Sequence, residues 1–490
     1  MLPESDLEQF DVVIVGAGLS GIGTACHLRS RLPGKTFVIL EGRDRLGGTW
    51  DLFRFPGIRS DADMYTMAYR FRPWQGPKAI ADGASILEYI AETASEFGLE
   101  DRIRYRHRVV RVSWSSAETL WTVETEVGPD RELSRIRCKF LCLCTGYYEY
   151  EGGYRPEWPG VERFRGTLAH PQQWPQELDY SGKRVVVIGS GATAITVVPA
   201  MAKSAEHVTM LQRSPSYILA LPSEDPLAKL IRGRLPGKAA YELVRWKNVL
   251  LSIFFFNLSR KRPEVMKRLV AKGVQQQLGQ ESSEHFTPKY NPWDQRMCFA
   301  PDGDFFAAVR SGKASIVTDE IETFTESGLR LRSGRTLEAD IIVTATGLVM
   351  RIFSGLQLAV DGVPVDLRKK LMYKGMMLND VPNMAAVIGY TNAPWTLKSD
   401  LTADYICRLL KYMEKHGYDN CVPCQNDPEI REEPAVDFSS GYIQRALPHL
   451  PRQGSRRPWR LHQNYVRDMF MLRYGSIEDE AMSFRRAGTS

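Results

Sequence analysis

Three glycines and one acid near the start of the chain, Gly16, Gly18, Gly21 and Glu41, have the types and spacing that hold a pyrophosphate and a ribose. A side chain at those glycines would keep the backbone away from the pyrophosphate, whose charge the N-terminus of the next helix then holds. Glu41 comes about twenty residues after the last glycine, where a carboxylate accepts hydrogen bonds from both hydroxyls of a ribose without a 2′-phosphate. The set recurs in altered form. Gly189, Gly191 and Ala194 repeat the turn with alanine in the third place, and the tip that follows carries Arg213 and Ser214 where the first copy has an acid. An arginine with a hydroxyl suits a 2′-phosphate, so the second site is expected to prefer NADPH. Two dinucleotides in one chain are most economically a tightly held flavin and its hydride donor, which makes a flavoprotein oxidoreductase binding FAD and NADPH the expected class. No cysteine lies between Gly47 and Glu100, so the redox pair of a flavin disulfide reductase is missing. Cys421 and Cys424 form the one Cys-x-x-Cys and lack a second ligand pair at zinc spacing, so no metal is expected.

The elements that must position these residues read as two copies of one plan. Asp11 to Val15 and Lys183 to Ile188 are apolar runs of buried parallel strands, each passing through its glycine turn into a helix-compatible stretch. Thr36 to Leu40 and His207 to Leu211 read as the second strand of each copy, and the apolar runs leading to Gly146 and Gly347 as strands that close them. Leu227 to Gln280 is rich in helix formers and basic residues and reads as a helical insertion. The expected fold is therefore α/β, with two Rossmann-like dinucleotide-binding domains for FAD and NADPH and a helical insertion in the second. The expected boundaries are 1–150 for the first part of the FAD domain, 151–182 for a linker and 183–226 for the first part of the NADPH domain. The insertion follows over 227–285, the NADPH domain resumes over 286–345, and 346–490 completes the FAD domain with a C-terminal segment.

At 490 residues the chain exceeds one ordinary core, and its 43% hydrophobic and 25% charged residues are those of a globular protein. A net charge of +6 is mild for this length and argues against a nucleic-acid partner. Eight cysteines without a framework of spacings imply a reducing cytoplasm. Glu4, Asp6 and Glu8 stand where a secretion signal would be basic, and the apolar run Val249 to Phe256 falls short of the roughly 18 to 20 residues that cross a bilayer. Arg245, Lys247, Arg260, Lys261 and Arg262 bracket that run. Segment 245–262 therefore has two readings: contact with the inner face of an anionic membrane, or a packed helix with solvated basic ends. Oligomeric state is not legible.

Two longer patterns add a resemblance. Gly47-Gly48-x-Trp50 followed by Phe55-Pro56-Gly57 and Asp61, and Phe164-x-Gly166 followed by His170 and Trp174-Pro175, are similar to the two fingerprints of type I Baeyer–Villiger monooxygenases. The Trp174-Pro175 ending separates that branch from the flavin-containing monooxygenases. Stretches around Trp50, Trp293 and Trp395 resemble the ethionamide-activating and long-chain alkane monooxygenase subgroup. The resemblance implies conversion of ketones to esters or lactones with NADPH and O₂ through a flavin peroxide, with sulfoxidation as a side activity, on a small lipophilic substrate. It places Gly48, Thr49, Trp50 and Asp61 at the FAD. It makes Arg296 the fixed positive charge beside the activated oxygen, held by Asp61. His170 and Trp174 become gating residues of the linker, and Asn392 and Trp395 border the pocket. The family's lysine before the catalytic arginine is Gln295 here, which leaves NADPH preference resting on Arg213. Heteroatom oxidation, long-chain alkane hydroxylation and an NADPH-dependent flavin reductase remain alternatives.

Overall fold

The computed structural model describes residues 7–279 and 284–486. Glu4, Asp6 and the end of the insertion at Gln280 lie outside the described residues.

Each glycine turn follows a strand at the centre of a sheet. Gln9–Val15 pairs in parallel with Phe37–Leu40 on one side and with Glu132–Leu143 on the other, so Val15 lies level with Leu40 and Leu143. Gly16, Glu41 and Cys144 therefore leave the sheet together at its carboxyl edge, where open α/β sheets bind ligands. Glu132–Leu143 serves two layers. Its exposed first residues pair antiparallel with Leu120–Val127, and its apolar second half enters the parallel core. Gln357–Val360 and Met384–Ala386 return from late in the chain to complete this nine-stranded sheet.

The second sheet is wholly parallel and runs in the order Ala314–Thr318, His207–Gln212, Arg184–Ile188, Ile341–Thr344, Thr167–Ala169. Its central residues Val185 to Ile188 and Ile341 to Val343 are apolar and buried, as strands covered on both faces must be. Thr167–Ala169 makes part of the 151–182 segment an edge of this sheet rather than a free linker. Cys421 lies in Asn420–Pro423, a strand paired antiparallel with Met482–Arg485. All eight cysteines are free.

The insertion comprises the helices Pro226–Arg232, Gly237–Lys261 and Pro263–Leu278. Its root is closed by Ile218–Leu221 pairing in parallel with Cys298–Pro301, which brings Arg296 back to the body of the molecule. One expected basic flank is corrected here. Arg245 is 2% exposed and donates to the carbonyls of Tyr65 at 2.9 Å and Ala68 at 3.1 Å, so it anchors the insertion to the first unit. Lys247 is paired with Asp225. No helix among the described residues is long and apolar enough to cross a membrane.

Candidate functional site

One cavity of about 520 Å³ is lined from both units. Gly16, Gly18, Glu41, Gly48, Thr49, Trp50 and Asp61 face it from the first, and Thr193, Thr196 and Arg296 from the second. The first turn is closed by sterics. Gly16 has φ +103°, and a Cβ there would lie 2.5 Å from the Cys144 carbonyl oxygen. Gly21 does not line the cavity. It lets the helix Leu19–Arg31 lie against the strand, since its Cβ would sit 1.8 Å from the Gly16 carbonyl oxygen. That helix, Ala192–Met201 and Trp395–His416 all begin at the cavity wall, with Leu19, Ala192 and Trp395 among the lining residues. Their unsatisfied N–H groups and partial positive charges suit phosphates.

Glu41 is buried and accepts from the backbone N–H of Ala17 at 2.7 Å and of Arg43 at 2.9 Å. Burial pushes its carboxyl above the usual range against the pull of those bonds. Each oxygen keeps a further lone pair for a hydroxyl. Arg43, held by the buried Asp51 at 2.5 Å, also lines the cavity and has an unpartnered Nε. A strand-end glycine cradle, an acid at the next strand tip and an unsatisfied buried donor together fit FAD.

The Arg296 guanidinium lies 3.1 Å from Asp61, with 31% and 45% of the two side chains exposed. The Asp61 charge, the largest influence, raises the already high pKa of Arg296, which stays cationic throughout the working range. Tyr147, also near Arg296, has its hydroxyl pushed up to about 12 by burial and so remains neutral. Trp395 stacks on Tyr147 with centroids 4.7 Å apart and an interplanar angle of 12°, and its Nε1 donates to Ser20 Oγ at 2.8 Å. Beyond this group a smaller chamber of about 110 Å³ continues between Met372, Ile388, Phe438, Ile443 and Leu450, sharing Tyr147, Arg296, Tyr390 and Trp395 with the larger one. Its polar floor is the buried pair of Lys398 and Asp468 at 2.7 Å.

The two fingerprints occupy joints. Phe55 packs into the core of the second unit, and a Cβ on Gly57 would lie 2.8 Å from Ala200 Cβ, so Phe-Pro-Gly seats one unit on the other. Gly166 passes the Asp340 carbonyl too closely for a side chain, at 2.4 Å from a Cβ placed there. Trp174 packs on the second core and His170 is 2% exposed, with Nδ1 accepting the Gln172 N–H at 3.1 Å. Neither lines the cavities described.

Burial, then the nearby Arg155, holds the His170 pKa down to about 4 from its ordinary 6.5. The unfolded chain therefore takes up this proton first. Stability from a neutral His170 is complete above pH 6.5 and is lost as pH falls to about 4. The loss approaches about 3 kcal/mol at full protonation. Urea unfolding midpoints at pH 7 and pH 5 should separate more for the native chain than for His170→Asn; equal separations would place the acid sensitivity elsewhere.

At the second turn Gly189 is required by the Ala345 carbonyl, 2.3 Å from a Cβ placed there, whereas Gly191 caps the Ala192–Met201 helix in open space and Ala194 is buried within it. Arg213 and Ser214 are exposed at the strand tip. Neither they nor Gly189, Gly191 and Ala194 line the cavity that holds the first glycine turn. Asn392 is also outside it: its side chain donates to the Gln463 carbonyl at 3.0 Å, while Thr391 and Ala393 are the lining neighbours. The sequence reading missed Arg43, Tyr147 and Tyr442. The first two follow strand ends at the carboxyl edge of the first sheet and could have been found there. Tyr442, which lines the smaller chamber, comes from the short helix Gly441–Ala446 late in the chain and has no local signal. The segment before that helix is tied to the Arg296 segment by Arg260, which bonds Asp294 at 2.8 Å and Asp437 at 3.0 Å. Among the described residues no cluster of three or more His, Cys, Asp or Glu is arranged to hold a metal.

Residues 75–417 match the flavin-binding monooxygenase-like family, and residues 14–74 match the NAD(P)-binding Rossmann-like domain. The chain is 52% identical over 482 residues to the FAD-containing monooxygenase EthA of Mycobacterium tuberculosis, with 98% of each chain covered. The structure of an oxidised steroid monooxygenase bound to NADP superimposes with a TM-score of 0.76 at 22% identity, covering 97% of this chain and 99% of that one. Cyclohexanone-bound cyclohexanone monooxygenase gives 0.71 at 21% identity, covering 86% and 90%. The shared fold carries two dinucleotide-binding domains.

Proposed function

From the premise that this chain belongs to the flavin-binding monooxygenase family, we propose that it is an FAD- and NADPH-dependent Baeyer–Villiger monooxygenase acting on lipophilic ketones. The observation that carries this reading is the cation Arg296, fixed by Asp61 at the junction of the dinucleotide cavity and the apolar chamber. The reaction consumes a ketone, O₂, NADPH and a proton, and yields an ester or lactone, water and NADP⁺. FAD, once reduced by NADPH, supplies the activated oxygen.

The rest is done by the chain's own residues. The Gly16 to Ser20 turn and Glu41 bind the flavin nucleotide, and Thr49 and Trp50 line its path. Arg296 donates to the ketone oxygen and stabilises the oxyanion that develops as oxygen adds to the carbonyl carbon. Asp61 keeps its guanidinium in one orientation and limits the cost of bringing it out of water. The apolar walls at Met372, Ile388, Phe438 and Leu450 exclude water and favour a hydrocarbon substrate. Soft sulfur compounds are expected as secondary substrates, because the activated oxygen would be electrophilic toward them when protonated, in contrast to the deprotonated form that adds to a carbonyl. The chain is tested by incubating it with NADPH, air and aliphatic ketones of increasing length: ester equal to NADPH consumed supports the proposal, and peroxide alone contradicts it.

Arg213 is proposed to hold the 2′-phosphate of NADPH. Arg213→Ala is expected to raise KM for NADPH by about ten- to a hundredfold, the size of a lost charged hydrogen bond of about 1.5 to 3 kcal/mol. KM for NADH should be unchanged, and an unaltered KM for NADPH would move the phosphate elsewhere.

A further inference from the structure

The helix Gly237–Lys261 is apolar on its outward face as well as on its buried one. A helix on a protein surface buries an apolar stripe and presents polar side chains to water. Here the buried side holds Ala240, Val244 and Val249 with Tyr241 and the cation Arg245, while Leu243, Leu250, Leu251, Phe254 and Phe255 are 43% to 58% exposed. Their spacing puts these five side chains on one outward face. Leu227 and Leu230, on the neighbouring helix Pro226–Arg232, are also about half exposed. Contiguous apolar surface of this kind on a soluble protein marks a contact.

Charge identifies the partner. Residues 226–278 hold twelve Lys and Arg against two Asp and Glu, so this unit is more positive than the whole chain at +6. Lys261, Arg262 and Lys272 are exposed and enter no ion pair among the described residues. An apolar face rimmed by free cations matches an anionic phospholipid surface, into which large apolar side chains enter while cations meet the headgroups. A second copy of the chain is disfavoured, because a symmetric contact through this face would set two such cationic units against each other.

We propose that the insertion docks the protein on anionic lipid through the Leu243 to Phe255 face. The helix is too short in apolar length to cross the bilayer, so it lies on the surface. Docking is read without any ketone, so it stands or falls apart from the oxygenation reaction.

The FAD-loaded protein should co-sediment at low salt with vesicles of phosphatidylcholine enriched in phosphatidylglycerol, and far less with phosphatidylcholine alone or at high salt. The double variant Leu250→Glu with Phe254→Glu changes only exposed positions. It should keep its flavin and its NADPH oxidation rate while losing at least about tenfold in vesicle binding. Lys261→Glu with Arg262→Glu should weaken binding and flatten its salt dependence. The proposal is overturned by failure of the native protein to bind the anionic vesicles, or by undiminished binding of the Leu250/Phe254 variant. It is also overturned if sedimentation equilibrium shows a dimer that this variant dissociates, which would make the face a contact between copies.

Discussion

Replacing Arg296 with alanine is expected to lower ester formation about a thousandfold, or about 4 kcal/mol in the barrier, while NADPH still bleaches the bound flavin. The two half-reactions separate because the arginine acts where negative charge develops on oxygen, not where hydride is passed. Its charge is insensitive to pH, and Asp61 at 3.1 Å fixes its direction. Arg296→Lys keeps the charge and loses the planar fork, so an intermediate rate is expected. Asp61→Asn keeps the shape of the partner and removes its charge, and should reduce turnover less than loss of the arginine itself. Stopped-flow reduction without oxygen, followed by product analysis in air, reads each half separately. Normal ester yield from Arg296→Ala would show that the cation facing both chambers is only structural.

Gly21→Val should give a colourless protein, with FAD affinity lowered by at least about a hundredfold. The Cβ it adds would already lie 1.8 Å from the Gly16 carbonyl oxygen, so helix Leu19–Arg31 must move away from its strand. The N–H groups at the start of that helix would then no longer point where the pyrophosphate sits. Gly34→Ala is the control, because nothing lies within 4 Å of a Cβ there. Absorbance of the purified variant measures bound flavin, and circular dichroism separates a folded apoprotein from a collapsed one. Full flavin content in a folded Gly21→Val would contradict the role given to the turn.

Features carried by short stretches of chain were the ones legible in sequence. Val12 to Val15 and Val185 to Ile188 are apolar without interruption because both sheet faces are covered there, and each glycine turn follows directly. Asp61 and Arg296 became a candidate pair only through longer motifs, since nothing local says that residues so far apart approach. The parts that escaped depend on distant packing. Arg245 looks like a solvated flank in sequence, yet the carbonyls of Tyr65 and Ala68 draw it inward because their short helix end needs donors. Thr167–Ala169 reads as linker because a three-residue edge strand has too little pattern to show, and Asn420–Pro423 pairs with a strand some sixty residues later. The apolar chamber is assembled from segments around residues 350, 372, 388, 438 and 461, of which only the one that runs on to Trp395 carries a recognisable pattern.

The central claim is that one oxygen atom from O₂ is inserted beside a ketone carbonyl, and isotopically labelled dioxygen tests it most directly. The FAD-loaded protein would be given NADPH, labelled dioxygen and a medium-chain methyl ketone, and the product read by mass spectrometry against NADPH consumed. The account predicts an ester carrying one labelled oxygen in its bridging position for each NADPH oxidised. Unlabelled product, or NADPH oxidation that yields labelled peroxide and untouched ketone, would contradict it.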